Sequence, residues 1–193
     1  HMGAALIGEG EVFYNQKRMK ASSAFQAAGL KPVQLDGRDG LALINGLAQT
    51  TGVASLALHE ARKNIDLSVT ASLLTASLLY PDSDRELLRT TALKNHPTAD
   101  RLVKRFQELR GAPTELDERS SLSIRFLPYV MAVAYDSLIQ AEAVVEAELN
   151  AVVDNPLISE EGWYTNNSGN MSGHRLGQPF DQFGLSLISL AVA

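Results

Sequence analysis

Two polar residues lie inside apolar segments of this chain, and both could bind a ligand. Asn45 follows four aliphatic residues in the segment Gly40–Gly46. A buried amide has two donors and an acceptor, and each costs free energy if it stays unpaired. Arg125 lies in the apolar run Leu122–Val130, and its guanidinium keeps its charge in a protein. Together the two residues are compatible with a pocket that binds an anion and an amine.

Each of these residues also has a purely structural interpretation. A partly buried Arg125 needs a carboxylate, which could come from a protein Glu or from a substrate bound in bidentate fashion. Asn45 could be a core amide whose hydrogen bonds the fold satisfies. The loop Asn166–Gly173 contains small polar residues that could line a pocket or form a flexible surface turn. The residues alone leave these alternatives open.

Other common catalytic sites lack their sequence signatures. The chain has no Cys and four His, and the His residues lack the spacing of metal ligands. Neither a phosphate-binding Gly-rich loop nor a Gly-x-Ser-x-Gly motif is present. Glu142 and Glu146 share a helix face, but no His follows three residues after either one, as a di-metal helix bundle would require. We therefore predict no metal site and expect these two carboxylates on a solvated or interface face.

Composition indicates one globular domain. Of 193 residues, 45% are hydrophobic and 20% charged, and the formal net charge is −5, which argues against nucleic acid and anionic membranes as partners. We expect no leader peptide and no apolar stretch long enough to span a bilayer, so a cytoplasmic location is expected. Both ends are helix-like without stop signals, so we expect the middle of a longer chain.

Helical patterns dominate the chain, and strand signals are poor. The predicted helices are Met19–Ala28, Arg38–Lys63, Leu67–Leu79, Thr98–Arg110 and Pro128–Val153. Helix stops are expected at Gly29, Pro81, Gly111 and Asp154–Pro156. A long loop, Ser159–Gln178, should precede a final helix. The prediction is an all-α, long-helix bundle, with the apolar helix Pro128–Val153 at its centre.

The order of several motifs resembles one enzyme family. These motifs are Gly40–Gly46, Ser123-Ile-Arg125 with Pro128, Asp154-Asn-Pro-Leu157 and Ser168–Gly173, and His96-Pro97 also fits. Taken in order, they resemble the histidine, phenylalanine and tyrosine ammonia-lyases and their aminomutases. The opening His1–Glu11 looks like the stretch that follows the cofactor-forming tripeptide of that family. Residues 1–193 are thus expected to be the central helical region of an ammonia-lyase-like domain.

The resemblance implies an activity, a cofactor and an assembly. Members are homotetramers of long helices whose active sites combine several subunits. Their electrophile, 4-methylidene-imidazol-5-one, forms from Ala-Ser-Gly, and it helps to remove ammonia from a small amino-acid substrate to give an α,β-unsaturated acid. Aminomutases return the ammonia to the β-carbon. This chain contains no Ala-Ser-Gly, so we expect the cofactor in a longer parent protein and no activity from the chain alone.

The resemblance also assigns roles to individual residues. Asn45 matches the Asn beside the prosthetic group, and Arg125 matches the Arg that pairs with the substrate carboxylate. Leu122 occupies the position of a catalytic Tyr and cannot transfer protons. Asn170 and Met171 are assigned to substrate binding, with Met171 in place of an aromatic wall.

Two further departures weaken the match. A Gln-Asp pair normally precedes the catalytic Tyr, where this chain has Arg119 and Ser120. After Asn170 the family has Phe-His, and Ser172 replaces that His.

Two functions therefore remain. A divergent lyase or aminomutase is favoured by Asn45 and Arg125, because a carboxylate-binding position is costly to keep without a ligand. A catalytically degenerate scaffold or small-molecule binder is favoured by Leu122 and Ser172.

Overall fold

The computed structural model describes residues 2–79, 83–110 and 121–192. Its helices are α1 Met2–Leu6, α2 Ala21–Ala28, α3 Asp39–Ile44, α4 Ala48–Leu79, α5 Ser83–Lys94, α6 Pro97–Arg110, α7 Leu122–Leu149 and α8 His174–Ala191. Its strands are β1 Glu11–Tyr14, β2 Lys17–Lys20, β3 Leu157–Ile158 and β4 Tyr164–Thr165. The prediction of an all-α fold with long helices is confirmed, apart from two small hairpins.

The chain forms two compact units. Unit 1 consists of His1–Gln49 and Ala151–Ser172, and unit 2 consists of Thr50–Asn150 and Gly173–Ala193. Unit 1 holds the short elements α1 to α3 and the four strands. Unit 2 holds the long helices α4 to α8 except for the first residues of α4.

Unit 2 has an extended apolar core. Helix α4 buries residues that recur at intervals of three, four or seven: Thr51, Ala54, Leu58, Ile65, Val69, Leu73 and Ala76. This spacing places them on one face of the helix. The same core includes Phe106 of α6, Met131 and Leu138 of α7, and Phe183 of α8. Burial of this stripe holds the long helices together.

Unit 1 contains an antiparallel hairpin that the sequence did not indicate. Strands β1 and β2 pair with Glu11 opposite Lys20 and Tyr14 opposite Lys17. The hairpin turn consists of Asn15 and Gln16, both with positive φ, as a tight two-residue turn requires. Residues up to Lys20 belong to β2, so the helix predicted from Met19 begins only at Ala21. Its predicted end at Gly29 is confirmed: Gly29 has a φ of 67°, where a residue without Cβ is favoured.

The segment predicted as one helix, Arg38–Lys63, is divided. Residues 45–47 separate α3 from α4, because Asn45 and Gly46 both have low helix propensity. Conversely, α4 continues to Leu79, through the gap predicted after Lys63, since no Gly or Pro interrupts residues 64–66. The stops predicted at Pro81 and Gly111 lie outside the described residues.

Helix α7 is displaced toward the N-terminus from the predicted Pro128–Val153. It begins at Leu122 because the Ser121 side chain accepts a hydrogen bond from the Ile124 backbone at 3.5 Å. Pro128 lies inside the helix and does not start it. The helix ends at Leu149, where the Asn150 side chain donates to the Glu146 carbonyl at 2.8 Å. It thus ends before the predicted stop at Asp154.

By length and composition alone, α7 could cross a membrane. An 18-residue window in Leu122–Leu149 has a mean hydropathy of 1.3, and 33% of that window is buried. The expectation that no apolar stretch has sufficient length is therefore wrong. Core helices of soluble proteins pass the same criterion, so α7 is weak support for a membrane-spanning segment.

The loop predicted at Ser159–Gln178 is shorter than expected. Its first part forms a hairpin, in which Ile158 of β3 pairs with Tyr164 of β4. At the other end, α8 already begins at His174, and Pro179 lies inside the helix. Residues 166–173 are nonhelical, so the predicted polar loop is confirmed over that range.

Candidate active site

Asn45 lies at the C-terminal end of α3. Its backbone N–H donates to the Leu41 carbonyl at 2.8 Å, which satisfies the amide proton at the helix end. Its side chain is half-buried and makes no hydrogen bond to any described residue. Leu43 and Ile44 are 44% and 79% exposed, so the expectation of a buried setting is wrong: α1 approaches Leu43, but no residue of this six-residue helix is buried.

A short segment of unit 1, residues 152–156, contacts two of the predicted site regions. The Asn170 side chain donates from Nδ2 to the Val152 carbonyl at 3.0 Å. Gly46, next to Asn45, lies near Val153, since a Cβ added to it would be in van der Waals contact with a Val153 methyl at 3.9 Å. Asn45 and Asn170 thus belong to loops that contact the same segment, although they are 125 residues apart.

Unit 1 also has buried polar atoms without partners. Asn155 Oδ1 and Ser168 Oγ are buried and make no hydrogen bond within the described part of the chain. Both belong to the motifs Asp154–Leu157 and Ser168–Gly173 that carry the family resemblance. Met171 is half-buried beside Asn170. Unpaired acceptors of this kind favour a site completed by water or by a ligand.

Leu122 and Arg125 occupy the first turn of α7 in unit 2. Their spacing of three places them on one face of the helix. Leu122 is 52% exposed and Arg125 is also exposed, so the expectation of a partly buried arginine is wrong, because the core of α7 begins only at Pro128. Among residues 2–79, 83–110 and 121–192, nothing forms an ion pair or hydrogen bond with the Arg125 guanidinium. Arg119 and Ser120 lie outside the described residues.

The middle of α7 carries polar groups that are paired with α4. Arg62 donates from Nε to Glu142 Oε1 at 2.7 Å and binds the second oxygen through Nη2. The hydrogen bond to Glu142 raises the pKa of Arg62. Glu142 is therefore engaged by an arginine, which supplies a structural role for a carboxylate considered above as a metal ligand. No cluster of three or more potential metal ligands occurs in the described ranges.

A second pair joins the same helices. The Tyr135 hydroxyl donates to Asp66 Oδ1. Burial, and then the hydrogen bond and charge of Asp66, raise the pKa of Tyr135 to about 12. Both features disfavour the phenolate, so Tyr135 is a poor proton acceptor at neutral pH.

Several side-chain contacts in the two units could not be predicted from the sequence. The rings of His96 and Tyr129 have centroids 6.5 Å apart, and the Thr98 hydroxyl contacts Asp136 Oδ1 at 2.6 Å. Arg38, which no motif marked, binds Asp154 in unit 1. For the contact between His96 and Tyr129, the His96-Pro97 motif was a weak sequence signal. For Arg38 the only signal was its position immediately before a helix.

A cavity of about 270 Å³ lies elsewhere in unit 2. It is lined by α4 and α8, with Ala57, Glu60, Asn64, Ile65, Leu187 and Leu190 among its residues. None of the predicted site residues lines it. Its lining is mostly apolar. Asn45, Asn170 and Met171 belong to unit 1, and Leu122 and Arg125 belong to unit 2.

Known proteins resemble this chain over its whole length. Residues 1–193 match the family model of the aromatic amino acid lyases. The histidine ammonia-lyase of Treponema denticola is 32% identical over 203 residues, which cover 99% of this chain and 39% of that protein. The chain therefore spans about two fifths of the length of such relatives.

Solved structures share the fold. Histidine ammonia-lyase from Trypanosoma cruzi superimposes with a TM-score of 0.83 at 24% identity, covering 100% of this chain and 37% of that chain. Tyrosine aminomutase from Streptomyces globisporus gives a TM-score of 0.83 at 23% identity, covering 100% and 41%. At these identities the likeness shows the fold alone. Because the family model matches the whole chain, the protein belongs to the aromatic amino acid lyase family.

Proposed function

We propose that this chain is the central part of a longer ammonia-lyase or aminomutase that acts on a small, aromatic or related α-amino acid. The observation that carries the proposal is the Arg125 guanidinium, which is exposed on α7 and unpaired within the described structure. A charged group without a protein partner is available to a carboxylate. The family membership supplies the reaction class, in which ammonia leaves and an α,β-unsaturated acid forms.

The residues fit distinct roles in that reaction. Arg125 would hold the substrate carboxylate through two parallel hydrogen bonds, which fixes the amino acid in one orientation. The Asn45 amide would donate to a polar group of the reacting centre. Asn170 keeps one N–H and its carbonyl oxygen for a ligand, since its bond to Val152 uses a single donor. Met171 would form an apolar wall against the substrate side chain.

The prosthetic group of the family is compatible with these residues. The half-buried Asn45 side chain makes no hydrogen bond to the described residues, so its donors and acceptor fit a heterocycle with a carbonyl and ring nitrogens. When bound, 4-methylidene-imidazol-5-one supplies an electrophile that activates the substrate amino group as a leaving group. We propose that the Ala-Ser-Gly precursor belongs to the parent protein, and that this chain alone is inactive.

Leu122 supports a second candidate function. An exposed leucine at the position of a proton-transferring tyrosine favours a catalytically degenerate homologue that binds a small molecule or acts as an oligomeric scaffold. The nearby Tyr129 packs against His96. The lyase proposal therefore requires either a slow reaction or a base from outside this chain.

We further propose a homotetramer. The long helices expose large apolar side chains that another subunit would cover, including Leu56 at 70%, Leu67 at 67%, Ile139 at 43% and Ile188 at 62%. Patches of this kind mark protein interfaces. Light scattering of the parent protein should give four times the monomer mass, and a monomer at micromolar concentration would contradict the assembly. A cytoplasmic location stays a prediction from composition.

The test of the function is an elimination assay on the parent protein. Histidine, phenylalanine and tyrosine are supplied separately, and the ultraviolet absorbance of the unsaturated acid and the released ammonia are both measured. For the phenylalanine and tyrosine arms, β-amino acids are also quantified, because an aminomutase releases little ammonia. The proposal expects one substrate to be converted. Binding of an amino acid without conversion, in protein that contains the prosthetic group, would favour the degenerate binder.

A further inference from the structure

Arg38, the residue directly before α3, joins two segments of unit 1 that are distant in sequence. Its Nη2 atom donates to Asp154 Oδ2 at 2.5 Å and to the Pro156 carbonyl at 2.6 Å. The other carboxylate oxygen of Asp154 accepts the backbone N–H of Asn155 at 2.8 Å. One guanidinium thus fixes a side chain and the backbone of the same segment, residues 152–156.

Helix α3 has Arg38 at one end and Asn45 at the other. Just beyond the far end, Gly46 lies near Val153, since a Cβ added there would lie 3.9 Å from the Val153 carbonyl oxygen and from its Cγ2. The helix has six residues and buries none of them. Helices this short are unstable without tertiary contacts. The hydrogen bonds of Arg38, together with the approach of α1 to Leu43, therefore help to hold α3, and with it Asn45, in place.

The same segment is also the attachment point of Asn170, which donates to the Val152 carbonyl at 3.0 Å. The positions of Asn45 and Asn170 therefore both depend on residues 152–156 of unit 1. If these residues moved relative to α3, the distance between the two side-chain amides would change.

We propose that Arg38 is a positioning residue, which holds α3 against residues 152–156 and so sets the position of Asn45 relative to Asn170. Arg38 itself need not touch the substrate. Its link to catalysis rests on the lyase function proposed above, whereas its structural link does not.

The geometry requires arginine in particular. Nη2 has two N–H groups and uses one for each acceptor, in a planar fork that is fixed in direction. A lysine could reach the carboxylate as a point charge but would lose that fixed geometry. The side chains of Arg38 and Asp154 are 43% and 34% exposed, and ion pairs this exposed contribute little to global stability. The expected effect is therefore on local position and not on overall folding.

The structural arm of the test is hydrogen exchange on the parent protein. In Arg38→Gln, amide exchange in residues 39–47 and 151–156 should accelerate about tenfold, as expected when a local opening becomes easier. The matched control is Arg18→Gln, which removes another exposed arginine of unit 1, paired with Glu11 in the first hairpin. This control should leave residues 39–47 unchanged. Unaltered exchange of residues 39–47 in Arg38→Gln would overturn the proposal, whatever the activity of the parent.

The kinetic arm tests the link to Asn45. Arg38→Gln should lower kcat about 10- to 100-fold with a smaller change in KM, because a displaced catalytic group costs rate steeply. Arg38→Lys should recover part of that loss. The double variant Arg38→Gln with Asn45→Ala should be no slower than Asn45→Ala alone, since both act through one group. If the losses in kcat of the two single variants multiply in the double variant, and its melting temperature also falls, Arg38 has a general structural role instead. A parent with neither lyase nor aminomutase activity would refute the proposed function, while the exchange result would still decide the role of Arg38.

Discussion

Polar side chains in the middle of α7 are paired with α4, whereas Arg125 in its first turn has no partner in the described chain. In the middle, Glu142 binds Arg62 of α4 and Tyr135 binds Asp66. In the first turn, Arg125 is exposed and has no partner in the described chain, and Leu122 is 52% exposed. Both regions lie on one helix, so the difference is not one of helix propensity. We infer that a polar residue in an apolar helix indicates function only when no other residue of the fold pairs with it.

The largest expected effect concerns Leu122. Replacing it with Tyr in the parent protein should raise ammonia elimination about 10² to 10⁴-fold, because one positioned acid-base group contributes roughly that factor. Absorbance of the unsaturated acid measures the rate. The matched control is Val133→Tyr, which places a tyrosine at another exposed position of α7 and should not accelerate the reaction. If the wild type is already fast and Leu122→Tyr slows it, Leu122 instead shapes the substrate pocket.

The next effect concerns Arg125 and sharpens the comparison with Arg62. Arg125→Lys in the parent should weaken binding of the product acid by ~1.5 to 3 kcal/mol, as expected for loss of a bidentate charged contact. Its melting temperature should remain nearly unchanged. Arg62→Lys should leave binding of the product acid unchanged in calorimetry and lower the melting temperature only slightly, because its pair with Glu142 is partly exposed. A large fall in stability of Arg125→Lys with unaltered binding would assign Arg125 to a protein ion pair.

A smaller effect is expected in the middle of α7. Glu142→Gln should lower the free energy of unfolding by about 1 kcal/mol or less, because the pair with Arg62 is 40% and 31% exposed and partly screened. Denaturant unfolding of Glu142→Gln, Arg62→Met and the double variant would give the coupling energy. Additive losses would show that the contact contributes nothing, and the comparison between the two regions of α7 would then weaken.

The smallest effect is a pH dependence. Because the pKa of Tyr135 is raised to about 12 in the folded state, from about 10 in the unfolded chain, the folded state favours the neutral hydroxyl. That contribution is fully present below pH 10 and is lost as the pH rises to 12. After allowance for solvent screening it amounts to no more than about 1 kcal/mol. The difference in unfolding free energy between wild type and Tyr135→Phe should shrink over this range, and a constant difference would contradict the assignment.

Local signals in the sequence gave part of the fold correctly. Gly29 ends α2 because a left-handed residue is needed there, and that requirement is visible in the residue type. The ordered motifs identified the family and hence the long-helix architecture. The first hairpin was missed because its turn, Asn15-Gln16, lacks the Gly that normally signals a tight turn. The start of α7 was misplaced because the cap at Ser121 outweighs the Pro128 signal.

The sequence suggested residues for the candidate site but did not indicate their setting. Asn45 and Arg125 were chosen as buried polar groups, yet the structure shows one half-buried and the other exposed. Pairing over long sequence distances caused the remaining omissions. Arg62 and Glu142 are 80 residues apart, and Arg38 and Asp154 are 116 apart. No spacing rule connects such residues, so their partners emerge only from the folded chain.

The central claim, that Arg125 stays unpaired in order to bind a substrate carboxylate, is tested most directly by changing the carboxylate and the arginine together. Calorimetry would measure binding of trans-cinnamate and of the uncharged cinnamamide to the parent protein and to Arg125→Gln. If the protein is histidine-selective, urocanate and its amide replace this pair. We predict that the wild type prefers the acid by about 10- to 100-fold and that Arg125→Gln loses most of this preference. An equal preference in both proteins would contradict the account.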